Sequence, residues 1–213
     1  MNGRWILGIT GASGAPYAVR LLEAAAEAGI RADVIVSAHG WRLLAHETGL
    51  PDLAALRDRL GARAEAFDWF GNADRGARPA SGSAPYAGMV ICPCSMGTLS
   101  AVAHGSSRSL VERAADVTLK EGRRLILVPR EMPLSPIHLE NMLSLSRIGV
   151  TVMPAAPGFY HAPKGMDDLI DFVVARVLDH MGAAHSIGYR WTGEEESEAG
   201  RQGSADTADS ADE

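Results

Sequence analysis

The 213-residue chain has no run of about 18 apolar residues, so no helical membrane span is expected. It has two cysteines, Cys92 and Cys94, on either side of Pro93. They are too close for an ordinary structural disulfide and too few for a metal site, and a reducing compartment suits them. His104, His138 and His161 lack metal-ligand spacing, and His138-Leu139-Glu140 is not a metalloprotease pattern, so no metal is expected. No internal repeat is visible. Met1-Asn2-Gly3-Arg4 runs straight into an apolar segment, which leaves no room for a signal peptide; the expected compartment is the cytoplasm. The net charge of −6 is local. Residues 194–213 hold eight acids and one arginine, −7, so the remainder carries +1, too little for a nucleic-acid binder. The tail is Ser, Gly, Ala and acid, a composition expected to be disordered. With 46% hydrophobic and 22% charged residues, the rest suits one soluble globular domain.

What is present is a strand–turn–helix opening. Trp5 to Ile9 reads as a buried strand, Thr10 to Gly14 as a glycine-rich turn, and a helical pattern starts at Ala15. Such a turn aims backbone N–H groups and the positive end of a helix at open space, a ready anion site. The competing reading is a tight turn with a serine cap. The turn matches neither the G-x-G-x-x-G nor the G-x-x-x-x-G-K-[ST] fingerprint. Further strands are expected at 32–37, 88–92, 124–128 and 149–153. Helices are expected at 40–48, 52–61, 109–121, 137–147 and 166–181, with a long loop from Ala64 to Ala87. The alternation predicts an α/β fold, Rossmann-like (flavodoxin-like), with a parallel sheet and helices on both faces.

Ligands in such sheets bind beyond the carboxyl ends of the strands. Thr10 to Ser13, Ser37, Cys94 to Thr98, and Arg130-Glu131 are therefore expected along one edge. Ser13, Ser95 and Thr98 at two small-residue turns suit a phosphate, and the lack of bulk admits a flat ligand. Arg113 and Lys120, seven apart on one helical face, either converge on a second anion or form a solvated face. These residues together describe a binder of a phosphorylated flat cofactor with a second phosphate nearby.

Several stretches carry a resemblance: Thr10-Gly11-Ala12-Ser13-Gly14-Ala15, Pro79-Ala80-Ser81-Gly82-Ser83, Cys92-Pro93-Cys94-Ser95-Met96-Gly97-Thr98, Leu127-Val128-Pro129-Arg130-Glu131 and Pro157-Gly158-Phe159-Tyr160-His161. With them the chain resembles the flavin prenyltransferases of the UbiX type, in the flavin-containing Cys decarboxylase superfamily. The resemblance implies a flavoprotein domain over residues 1–193. It implies transfer of the dimethylallyl group of dimethylallyl phosphate to N5 and C6 of reduced FMN, without a metal. The product, prenylated FMN, is the cofactor of UbiD-type decarboxylases. A homo-oligomer, a dodecamer, is implied. So are residue roles: Gly11, Ala12, Ser13, Ser37, Ser95, Met96, Gly97, Thr98 and Arg130 for FMN; Arg113, Lys120, Arg130, Glu131, Tyr160, Arg176 and Trp191 for the prenyl phosphate; and Ser13, Glu47, Glu131 and Lys120 for catalysis. Met96 stands where the family pattern more often has Thr.

Two alternatives accompany this reading. A flavin-dependent cysteine decarboxylase on the same fold would use a histidine in the second helix region, where His46 adjoins Glu47, and an Asn in the loop that here reads Pro79 to Ser83. A non-catalytic FMN carrier would not need the cluster Arg113, Lys120, Arg130 and Arg176.

Overall fold

The structure, a computed structural model, describes residues 3–190. Trp191 and the acidic tail lie outside the described residues. One sheet of six parallel strands runs through the molecule: β1 (Arg4–Ile9), β2 (Ala32–Val36), β3 (Phe67–Gly71), β4 (Tyr86–Cys94), β5 (Arg124–Pro129) and β6 (Thr151–Val152). Their order is β3-β2-β1-β4-β5-β6, the doubly wound Rossmann order. The chain builds outward from β1 to β3, then returns to β1's other side for β4. The crevice between the ends of β1 and β4 is thus a topological switch point.

Side chains alternate along each strand between two cores. Trp5, Leu7, Ile9, Val90 and Cys92 face one; Ile6, Met89, Ile91 and Cys94 face the other. Helices α1 (Ala15–Glu27), α2 (Ala38–Thr48), α3 (Leu53–Leu60) and α7 (Met166–Met181) pack on the first face. Helices α4 (Met96–Ala103), α5 (Leu110–Lys120) and α6 (Pro136–Arg147) pack on the second. The starts are set locally. Ser37, Asp52, Ser95, Ser109 and Ser135 each accept a backbone N–H from the first turn of the helix they precede.

The expected loop from Ala64 to Ala87 contains a strand, β3. Phe67 is buried and Asp68 exposed, but the alternation is too short to stand out, because an edge strand pairs on one side only with β2. The strand expected at 88–92 is longer, reaching from Tyr86 to Cys94, with a register shift between Ile91 and Cys94 where Pro93 has no N–H to give. The strand expected at 149–153 shrinks to two residues.

Candidate active site

Thr10 stitches the two turns at the switch point together. It is 2% exposed. Its hydroxyl donates to the Pro93 carbonyl at 2.9 Å and accepts the Ser95 N–H at 2.8 Å. The β1 turn and the start of α4 are therefore one unit. On the α4 side, Ser95 Oγ accepts the Thr98 N–H at 3.3 Å and donates to Thr98 Oγ1 at 3.1 Å. Met96 turns its side chain into the core, so the thioether leaves the ligand side and only its backbone is presented. A Cβ on Gly97 would meet nothing within 4 Å, which shows open space before the helix start. On the β2 side, the Ser37 N–H bonds the Ile9 carbonyl at 2.9 Å, and its Oγ caps α2. Gly11 lies so close to α2 that a Cβ there would stand 2.5 Å from His39 Cβ.

The start of α1 is not open to a phosphate as expected. Glu47, on α2, already occupies it: Glu47 Oε2 accepts the Gly14 and Ala15 N–H groups, each at 2.8 Å. Gly14 has φ of 129°, where a side chain is strained, and this conformation turns its N–H to the carboxylate. Burial favours the neutral form of Glu47. The Gly14 N–H, the Ser13 hydroxyl, the Ala15 N–H and the Arg130 charge outweigh it and hold the carboxyl below the usual range. Arg130 reaches back from the end of β5, and its Nε donates to the Ser13 carbonyl at 2.9 Å. Glu131 beside it is exposed and accepts the Met132 N–H at 3.1 Å. His46, the histidine a cysteine decarboxylase would use, is exposed; Glu47 is the residue aimed at the turn.

Gly11, Ala12, Ser13, Ser37, Glu47, Ser95, Met96, Gly97, Thr98, Arg130 and Glu131 thus meet along one edge. Lys120 and Arg176 do not join them within one protomer. Arg113 donates to Asp116 at 3.0 Å and Lys120 to Glu121 at 2.5 Å, so the two cations have separate acids instead of one shared anion. Helices between parallel strands return from the carboxyl edge to the amino edge. Lys120, the last residue of α5, is therefore at the far edge, just before β5 begins. Arg176 pairs with Asp179 at 2.8 Å near the end of α7, whose His180 carbonyl accepts from Arg124 at the start of β5. Tyr160 is 64% exposed, edge-on to Phe172 at 5.7 Å. Trp191 is outside the described residues. Both thiols are buried: desolvation pushes Cys92 up to about 12 and Cys94 higher, so neither is a nucleophile at neutral pH. Among the described residues no three His, Cys, Asp or Glu side chains gather as a metal site, and no helix is long and apolar enough to cross a membrane.

The sequence model of the Flavoprotein family matches residues 1–178. The chain is 49% identical over 197 residues to the flavin prenyltransferase UbiX of Halalkalibacterium halodurans, covering 91% of this chain and 95% of that one. A crystal structure of a UbiX protein, AnUbiX, in complex with FMN and dimethylallyl pyrophosphate superposes with a TM-score of 0.84 at 36% identity, covering 92% of this chain and all of that one. A dodecameric FMN-dependent UbiX-like decarboxylase from Escherichia coli O157:H7 superposes with a TM-score of 0.80 at 47% identity, covering 89% of this chain and 99% of that one.

Proposed function

The chain belongs to the flavoprotein family, among the flavin prenyltransferases of the UbiX type, and from that premise we propose how its residues carry out the reaction. It joins the dimethylallyl group of dimethylallyl phosphate to reduced FMN and yields prenylated FMN. The residues present fit a flavin mononucleotide. The helix start at Met96 and Gly97 has N–H groups without helical partners, hydroxyls at Ser95 and Thr98, and open space at Gly97. The β1 turn beside it is small and closed to a second phosphate by Glu47. The phosphate accordingly belongs to α4, and Ser37, Gly11, Ala12, Ser13 and Arg130 border the ring. When bound, reduced FMN supplies the nucleophilic N5 and C6.

Glu47 carries the reading. It is ionised, hydrogen-bonded to Ser13 and anchored on two N–H groups, so it accepts a proton delivered through the Ser13 hydroxyl. Glu131 is the second carboxylate for proton transfer. Arg130 holds the Ser13 turn in place and puts a charge next to it. A departing phosphate needs cations to take up its charge, and Arg113, Lys120, Arg130 and Arg176, with Tyr160, are assigned that task in place of a metal. Trp191 is assigned to the prenyl group, where an aromatic face favours allylic positive charge.

Because Lys120 and Arg176 lie toward the edge opposite their own Ser13 turn, the phosphate site is completed by neighbouring subunits. The exposed apolar side chains of α6, among them Ile137 (66% exposed) and Leu143 (50% exposed), support a homo-oligomer, and a dodecamer is the assembly we assign. The product passes to a UbiD-type decarboxylase in the cytoplasm. Residues 1–193 form the catalytic domain, and deletion of 194–213 is expected to leave turnover unchanged; a large loss of turnover would refute that boundary.

The decisive test is anaerobic incubation of the protein with reduced FMN and dimethylallyl phosphate, then mass spectrometry of the extracted flavin. A flavin heavier by one C5 prenyl unit is the expected result; unmodified FMN refutes the transferase. Repeating it with the diphosphate measures donor preference.

A further inference from the structure

A second polar cluster sits at the amino edge of the sheet, where the flavin chemistry has no use for it. Its centre is Asp33 on β2, whose side chain is fully buried. The carboxylate accepts from Arg4 Nε and Tyr86 OH, and from Arg78 Nε at 2.9 Å and Nη2 at 2.6 Å. Arg78 Nη2 also reaches Asp68 Oδ2 at 2.8 Å, and its guanidinium lies 5.6 Å from the Phe70 ring centroid. A carboxylate taken wholly out of water is tolerable only when it is paired with charge and its lone pairs are filled, here by two guanidiniums and a phenol. Asp33 and Asp68 further stabilise the charged form of Arg78.

Arg78 opens a short 3-10 helix, Arg78–Ala80, in the connection from β3 to β4. The turn that follows, Ser81-Gly82-Ser83, leans on the end of α5. Arg123 Nη2 donates to the Gly82 carbonyl at 2.5 Å. A Cβ on Gly82 would stand 3.0 Å from Lys120 Nζ and nearer still to Glu121 Oε1. The backbone at Gly82 is thus one wall of the place where Lys120 meets Glu121. Lysine is a point charge on a flexible stem, so at an exposed helix end it stays in one place only if something confines it.

We propose that Asp33 and Arg78 are positioning residues: the ion pair of Arg78 with the buried Asp33 fixes the 78–83 turn against α5 and so confines the Lys120 ammonium for the donor phosphate. This rests on the reading above that Lys120 binds that phosphate. Lys120 is remote from its own flavin turns, so the pair acts on a neighbouring subunit's site.

The chain has only two lysines, Lys120 and Lys164, which permits a direct readout. The full-length oligomer is treated with an amine-acylating reagent, and labelling of Lys120 is measured against Lys164 by peptide mass spectrometry. In Arg78→Gln, Lys120 acylation is expected to rise severalfold. The kcat/KM for dimethylallyl phosphate is expected to fall about tenfold, with FMN affinity held, because a displaced Lys120 takes up less of the departing phosphate's charge. Asp33→Asn should reproduce this. Arg78→Lys, which keeps a charge but not the fork, should fall between. Wild-type acylation and kcat/KM in Arg78→Gln would overturn the proposal, as would a lowered kcat/KM with unchanged Lys120 labelling, or loss of FMN affinity together with kcat/KM. If the native protein makes no prenylated flavin yet Lys120 labelling still responds to Arg78→Gln, the transferase reading fails while the positioning of Lys120 is supported.

Discussion

Replacing Glu47 with Gln keeps the oxygen that meets α1 but removes its charge. Two N–H groups bond that oxygen at 2.8 Å. Hydrogen bonds to a charged acceptor contribute about 1.5–3 kcal/mol and neutral ones about 0.5–1.5 kcal/mol. A charge at a helix N-terminus adds about 0.3–1 kcal/mol when exposed. Glu47 is only half-buried, so solvent screening brings the expected loss to roughly 1–2 kcal/mol, at the low end of those sums. For a chain of this length that is a fall in Tm of roughly 2–8 °C. The pH dependence has a definite sign. The folded carboxyl is held below the ordinary value of about 4.3, so its contribution is fully present above that pH and fades as pH falls through the lowered folded value. The Tm gap between native protein and Glu47→Gln is therefore expected at pH 7 and should close toward strong acid. Turnover should fall about 100-fold or more, because Gln accepts no proton. FMN affinity should stay within about threefold, less than 1 kcal/mol. The assays are thermal unfolding from pH 3 to 8, FMN titration and single-turnover mass spectrometry. A gap that widens in acid, or normal product formation, would refute the role given to Glu47.

Three further outcomes follow from the same geometry. Thr10→Val keeps the shape of the side chain but removes the partner of the half-buried Ser95 N–H, and should cost about 1 kcal/mol in denaturant unfolding and weaken FMN binding; unchanged FMN affinity would show that the two turns hold together without it. Cys92 and Cys94 should resist a thiol reagent at pH 8 until denaturant is added, and labelling of the folded protein would contradict their burial. Ile137→Glu with Leu143→Glu should give smaller particles in sedimentation, whereas an intact oligomer would move the subunit contact away from α6.

The sequence by itself determined what is local. Ser37, Asp52, Ser95, Ser109 and Ser135 start their helices because a side-chain oxygen and the N–H it caps are three residues apart. The buried strands were legible as apolar runs because both faces of a parallel sheet are covered. The carboxyl-edge residues could be gathered in advance because every strand points the same way. The edge strand β3 was not legible, since only Phe67 of its five residues is fully buried and no apolar run or clean alternation marks it. Tertiary structure alone decided that the start of α1 is taken. Glu47, 33 residues beyond Gly14, fills it, and no local pattern records that meeting. It also decided that Thr10 joins the two turns, because β4 lands beside β1 after two intervening strands. It sent Lys120 and the Arg176–Asp179 pair toward the amino edge, since crossover helices return antiparallel to their strands. Seven-residue spacing fixes a helical face, but only the direction of the helix in the fold fixes which edge that face serves.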